Sequence, residues 1–237
     1  MTKIMKNNIQ VCLLVIFIVI AGIKCKPNRY ELQGENGFKV ILEETNNVPK
    51  KFHPDLLAKY KDKTWRDMID SARLRNLKSF TKHEGITTIK IKNNKTIQFI
   101  DPPEPGDGIQ KYDYLFFIPE IDSHLVSCLF WEVSGYVLAS NSTGTTHGVW
   151  NIPNISPDKT KFAVANEDLF ARFDPNGIQI FEIVSGKYVK KFEREFDWGP
   201  DNIRWIDNNT FIVDKYIVDK YDKKPAGHVI FKLVDVK

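Results

Sequence analysis

The sequence predicts an all-β, mainly antiparallel fold of small stacked sheets, and three observations carry that prediction. Turn markers recur at a near-constant step: Gly199-Pro200-Asp201 follows Ser156-Pro157-Asp158 after 43 residues, and Gly186 follows Gly144 after 42. Steps of about 40 to 45 residues mark repeated four-stranded units. Beyond Gly85 the apolar period is two rather than 3.6, which gives each strand a wet and a dry face. A chain that is 42% hydrophobic and 12% aromatic also has enough material for a packed core.

Taken in order, the chain opens with Lys3 and Lys6 before an apolar run from Val11 to Ile23, 13 residues long. A membrane-spanning helix needs about 20 such residues, so a cleaved secretory signal over 1–21 is expected, with Val19 and Ala21 at the small-residue positions. The mature protein is then exported, to the periplasm or beyond the cell. Cys25 raises lipidation as an alternative, although Lys24 stands where a lipid-attachment signal needs a small residue; only such an anchor would tie the chain to a membrane. Losing 1–21 lowers the net charge from +4 to +2. A balanced surface of that kind gives no electrostatic footprint for nucleic acid or anionic lipid. Cys25 and Cys128 either form one disulfide or leave Cys128 as a buried thiol, and two cysteines make no zinc site.

Residues 22–52 read as a polar linker with one possible strand, Phe38 to Leu42, before a single mainly-β domain over 53–237. Pro54 at a first helical turn and apolar residues at spacings of three and four, from Leu56 to Leu77, predict one or two amphipathic helices over about 54–78. Their alternating charges read as a solvated face. The β units span about 86–237. Ile86 to Lys92 and Lys95 to Ile100 form a hairpin about Asn93-Asn94, and the prolines and glycines of 101–108 exclude strand and helix. Strands follow over 112–119, 124–133, 136–140 and near Val149, dense enough in Tyr114, Phe116, Leu129 and Phe130 to be buried on both faces. Ser134-Gly135-Tyr136 reads as a hairpin turn. Further strands are expected over 161–166, 178–183, 188–192, 202–206, 210–218 and 228–234, with Pro225-Ala226-Gly227 breaking the run before the last.

Ser156-Pro157-Asp158-Lys159, the strand Lys161 to Ala165, Gly177-Ile178-Gln179-Ile180-Phe181 and Ser185-Gly186 together resemble a propeller blade of the WD40 or TolB-like kind. Lys159 stands where those blades carry a turn glycine. The stretch from Tyr112 to Asp214 is also similar to uncharacterised exported bacterial proteins, a resemblance that implies no activity. Residues 86–237 suffice for three to four blades, so the fold expected is an incomplete or degenerate β-propeller, with a β-sandwich as the alternative.

Candidate sites gather in one region. Asn166, Glu167, Asp168, Asp174 and Asn176 form the densest set of oxygen donors, and calcium takes six to eight such ligands. The spacing and final glutamate of an EF-hand are missing, and Asx turns account for the same residues. Asp168, Asp174, Asn176 and Trp198 are the candidate ligand-binding residues; Asn166, Glu167, Asp168 and Asp174 are the metal candidates. Trp198 and Trp205 offer an aromatic shelf, or core packing. The five histidines are scattered, and the local run Asp122-Ser123-His124 is too compact for a catalytic triad. Four Asn-x-Ser/Thr triplets, at Asn94, Asn141, Asn154 and Asn208, read as chance. The function expected is a non-enzymatic binding or interaction protein of the envelope, acting on a protein or glycan, without cofactor and with oligomers open. The alternatives are a calcium-dependent hydrolase using 166–177, and a lipid-anchored structural protein.

Overall fold

A computed structural model describes residues 28–58, 67–68, 78–104, 111–130 and 134–235. The signal region, Cys25 and most of the expected 54–78 helices lie outside the described residues. Sixteen strands are described: β1 (Arg29–Gln33), β2 (Phe38–Thr45), β3 (Phe80–His83), β4 (Ile86–Lys90), β5 (Thr96–Ile100), β6 (Lys111–Ile118), β7 (Ser123–Leu129), β8 (Ser134–Ser140), β9 (Thr146–Val149), β10 (Asn154–Ile155), β11 (Lys161–Asn166), β12 (Gly177–Val184), β13 (Lys187–Glu195), β14 (Gly199–Asp207), β15 (Thr210–Asp219) and β16 (Asp222–Asp235). They form four antiparallel sheets. Sheet I is β3-β4-β5, sheet II β6-β7-β8-β9, sheet III β10-β11-β12-β13, and sheet IV β1-β2-β16-β15-β14.

Alternation builds the stack. In sheet III, Phe162, Val164 and Phe181 face sheet II, while Ala163, Ile178 and Ile180 face sheet IV. Sheet II likewise sends Leu125 and Leu138 toward sheet III and Val126, Ala139 and Tyr114 toward sheet I. Consecutive residues of a strand point to opposite faces, so a near-continuous apolar run fills two cores at once. Three apolar clusters thus join the sheets in sequence, I to II, II to III and III to IV; among the described residues no fourth cluster joins IV to I. Leu57 and Met68, both buried, pack into the cluster between sheets II and III.

One end of the stack is a row of mutually bonded turns. The β4–β5 turn donates through Lys92 N–H to Asn141 O in the β8–β9 turn at 3.0 Å, and Lys92 Nζ reaches Asp122 at 2.7 Å. Gly144 and Gly186 occupy equivalent β8–β9 and β12–β13 turns, at φ 76° and 75°. Thr143 Oγ1 donates to Gly186 O at 3.4 Å, and a Cβ on Gly186 would lie 2.5 Å from Ser142 Oγ.

Four expectations are corrected. The 22–52 segment is no linker where described, since β2 lies inside sheet IV between β1 and β16, its Phe38, Val40 and Leu42 buried. Its short apolar run has a partner 189 residues away, which no local pattern reveals. Gly199-Pro200-Asp201 lies within β14 whereas Ser156-Pro157-Asp158 makes the β10–β11 turn, so that half of the repeat joins non-equivalent places. Ser134-Gly135-Tyr136 opens β8 instead of turning, with Ser134 paired to Leu129. Pro225 does not end the last run: the register skips between Asp214 and Tyr216, and Gly227 at φ 88° absorbs the irregularity as a bulge. A proline is tolerated at such a bulge because its missing N–H costs no ladder bond.

Candidate ligand cavity and the acidic loop

The β11–β12 loop, 167–176, is built by its own polar side chains. The Asp168 carboxylate accepts the backbone N–H groups of Ala171, Phe173 and Asp174 at 3.0, 2.7 and 2.9 Å. Desolvation pushes its pKa up, but these donors outweigh it and hold the group below its ordinary value. Asn176 accepts Asp168 N–H at 3.0 Å and donates to Phe196 O and Trp198 O at 2.8 and 3.0 Å, which ties the loop to the β13–β14 connection. Asn166 donates to Pro175 O at 2.8 Å, and Glu167 binds Leu169 N–H and the Lys223 ammonium.

The calcium candidates are therefore brought near one another in the chain but not onto one point. Asn166, Glu167 and Asp168 are already bonded to separate partners, and among the described residues no group of three or more His, Cys, Asp or Glu side chains is placed to hold a metal ion. Asp174 is different: its carboxylate makes no hydrogen bond or ion pair with any of the described residues. Desolvation and then the Asp168 charge push its pKa up.

The aromatic-shelf reading of Trp198 and Trp205 is corrected. Trp198 is buried against Phe196, its ring stacked at 4.7 Å. Trp205 is buried too, and its Nε1–H donates to Asn154 O at 3.1 Å while Asn154 Nδ2 donates to Ile203 O at 2.7 Å. This reciprocal pair bolts β10 to β14. A buried indole needs such an acceptor, and each ring fills the III–IV junction more fully than an exposed position would allow.

A cavity of about 550 Å³ opens at the junction of sheets II and III. Phe130, Tyr136, Trp150 and Phe173 give it aromatic walls, Gly135 and Gly148 lie on β8 and β9, and Asp174, Gln179 and Glu193 supply polar groups. Gln179, buried, accepts Trp150 N–H at 3.0 Å and donates to Glu193 at 2.8 Å. Glu193 is also paired with Lys190 at 3.1 Å. Burial and the Asp174 charge push the Tyr136 phenol above its ordinary pKa, and its hydroxyl makes no hydrogen bond among the described residues. A smaller recess of about 310 Å³, lined by Asp168, Asp174, Asn176 and Asp197 among others, adjoins it through Asp174.

Of the sequence-predicted residues, Asp174 alone borders both spaces, Asp168 and Asn176 shape the loop, and Trp198 belongs to the core. The cavity walls were missed because they come from β7, β8, β9, β12 and β13 and from residues beside them, far apart in the chain. One signal was available: an isolated glycine in a strand pattern, Gly148, marks a close approach by another group. No relay forms at 122–124, since His124 Nδ1 meets Tyr114 OH at 3.1 Å and Ser123 Oγ bonds Tyr188 OH. Cys128 is a free buried thiol, its pKa pushed up to about 12 by desolvation. Asn154 is buried and committed to bonds, so it is no glycan acceptor. Among the described residues no helix is long and apolar enough to cross a membrane. Fold and site define a mainly antiparallel β protein with an inter-sheet cavity. No family profile matches the chain, and no curated protein matches it either.

Proposed function

We propose that this chain is an exported, non-enzymatic binding protein that takes a ligand into the cavity between sheets II and III. The observation that carries the reading is Gly148. Gly34, Gly177 and Gly199 stand where a Cβ would collide at 2.3, 2.0 and 2.5 Å, and Gly85, Gly144, Gly186 and Gly227 have positive φ. Gly148 has neither reason, for a Cβ there would meet nothing within 4 Å. A strand glycine that neither the backbone nor the packing requires leaves room for something else, and a pocket of this volume suits a small molecule or a partner's side chain. The Asp168 carboxylate that a hydrolase would use is spent on the loop's own backbone.

The same reading makes the four sheets blades of an incomplete propeller. Consecutive antiparallel meanders, the equivalent Gly144 and Gly186 turns, and a sheet IV completed by β2 support it. Buried Leu57 and Met68 support a helical element over about 54–78 packed on sheets II and III. Export rests on the 1–21 signal, and a partner or ligand of the envelope follows from it.

Gly148→Leu tests the binding function by placing a side chain at the cavity rim, where a Cβ meets nothing within 4 Å. Native mass spectrometry of the full chain after exposure to envelope extract should show a small molecule or peptide retained by the wild type and lost from Gly148→Leu. Equal retention by both, or by neither, would sink the proposal. Mass spectrometry of the mature chain addresses export: an unmodified start near Gly22 is expected, and an intact residue 1 would contradict it.

A further inference from the structure

We propose that the ligand carries an organic ammonium group, held over the aromatic walls with its charge against Asp174. The inference rests on the cavity being the binding site and adds the ligand's chemistry. Four aromatic side chains, Phe130, Tyr136, Trp150 and Phe173, line one space with a carboxylate. Ring faces attract cations through their quadrupole, most strongly where water is excluded. The two other polar side chains are committed, Glu193 to Lys190 and Gln179, and Gln179 to the Trp150 backbone. Among the described residues Asp174 is left as a partly buried carboxylate without a cation, and the Tyr136 hydroxyl on the same cavity is without an acceptor.

Even a partly buried carboxylate without a partner carries a cost, which is recovered when a cation arrives. Among the described lining residues the charge has no lysine or arginine to compete with, since each is apolar, polar-neutral or acidic. Arg172 lines the smaller recess instead. Phe173, adjacent in sequence to Asp174, is 60% exposed, so the rim offers an apolar surface to the carbon substituents of the nitrogen. A compact alkylammonium satisfies both wall and charge. A bare metal ion would leave the rings unused, and a neutral hydrocarbon would leave Asp174 unpaired.

Calorimetric titration of the full chain with choline and with its neutral isostere 3,3-dimethylbutanol, at matched ionic strength, tests this. Choline is expected to bind about ten-fold tighter or more than the alcohol. Asp174→Asn should erase that preference without lowering the melting temperature, because the carboxylate bonds to none of the described residues and its charge is a cost to the fold. Gly148→Leu should abolish choline binding. Equal affinity for the alcohol, a preference that survives Asp174→Asn, or binding that survives Gly148→Leu overturns the inference. Failure of choline and alcohol alike overturns it too, and retention of some other compound in the native spectra then leaves the binding-protein reading standing.

Discussion

Two junctions of the stack are built from similar strands to opposite ends. Between sheets III and IV large rings fill the core: Trp198, Trp205, Phe211 and Phe231 are buried together, and Phe211 and Phe231 stack at 4.9 Å. Asn154 and Trp205 then close the junction with reciprocal hydrogen bonds. Between sheets II and III the core is equally dense around Phe162 and Phe181, stacked at 4.8 Å, but toward the β11–β12 loop it gives way to the glycine-lined cavity. The difference lies in a few positions rather than in the strand pattern. The first junction encloses the indoles of Trp198 and Trp205, whereas at the second Trp150, Gly135 and Gly148 border open volume. Stability is concentrated at one junction and vacant volume at the next.

The comparison is broken most severely by Trp205→Ala, which removes a fully enclosed ring and leaves the Asn154 carbonyl without its donor. A loss of about 3–5 kcal/mol is expected, read as a fall in the urea midpoint. Asp168→Ala should cost about 1 kcal/mol, because three backbone donors lose one acceptor in a partly solvated loop. Its pH dependence has a definite sign. A carboxylate whose folded pKa is lowered contributes stability that is present above its ordinary value of 3.8 and is lost as pH falls through the folded value. The wild type should therefore lose more stability than Asp168→Ala between pH 5 and pH 2, and parallel curves would contradict the assignment. Gly148→Leu acts in the opposite direction, since a strand glycine is replaced and open volume filled; a gain of about 0.5–1 kcal/mol by thermal melting would separate the cavity from the closed junction. The smallest effect is expected at Lys159, whose φ of 61° places a side-chain-bearing residue in the left-handed region. Lys159→Gly should stabilise by about 0.5 kcal/mol, leaving the ligand cavity untouched.

Much of the strand inventory was legible, and the reason is physical. Ile86 to Ile100 pairs as a hairpin because alternation and the left-handed Asn93 and Asn94 specify it locally. Ser185-Gly186 and Asn141 to Gly144 turn where their residues permit positive φ. What was hidden depends on distant partners. Arg29–Gln33 has an exposed, polar pattern and becomes a strand only because β2 offers it an edge, and Asn154–Ile155 is too short to show a period. For the site, the polar loop was visible because Asp and Asn cluster in sequence. The aromatic walls come from separate places in the chain, Tyr136 from β8, Phe130 and Trp150 from just beyond β7 and β9, and Phe173 from the β11–β12 loop, and no local pattern links them. Lys159 shows a different limit: Ser156 Oγ and the Asp158 carboxylate hold the turn through bonds to Lys161 N–H and Thr160 N–H at 3.0 and 3.1 Å, doing by side chains what a glycine would do by backbone freedom.

The pairing of β2 with β16 also sets the order of events in folding. Glu43 and Lys232, bonded across these strands, are 189 residues apart, so β2 has no neighbour on that edge until almost every other strand has been synthesised. Closing so large a loop is slow, and an apolar strand with free N–H and C=O groups is an aggregation template while it waits. A chain stopped before Asp222 would leave that edge permanently open. The earliest strands of sheet IV thus take their lifetime from the latest ones, and a protease that clips the exposed β15–β16 tip at Tyr221 would attack that dependence where it is most accessible.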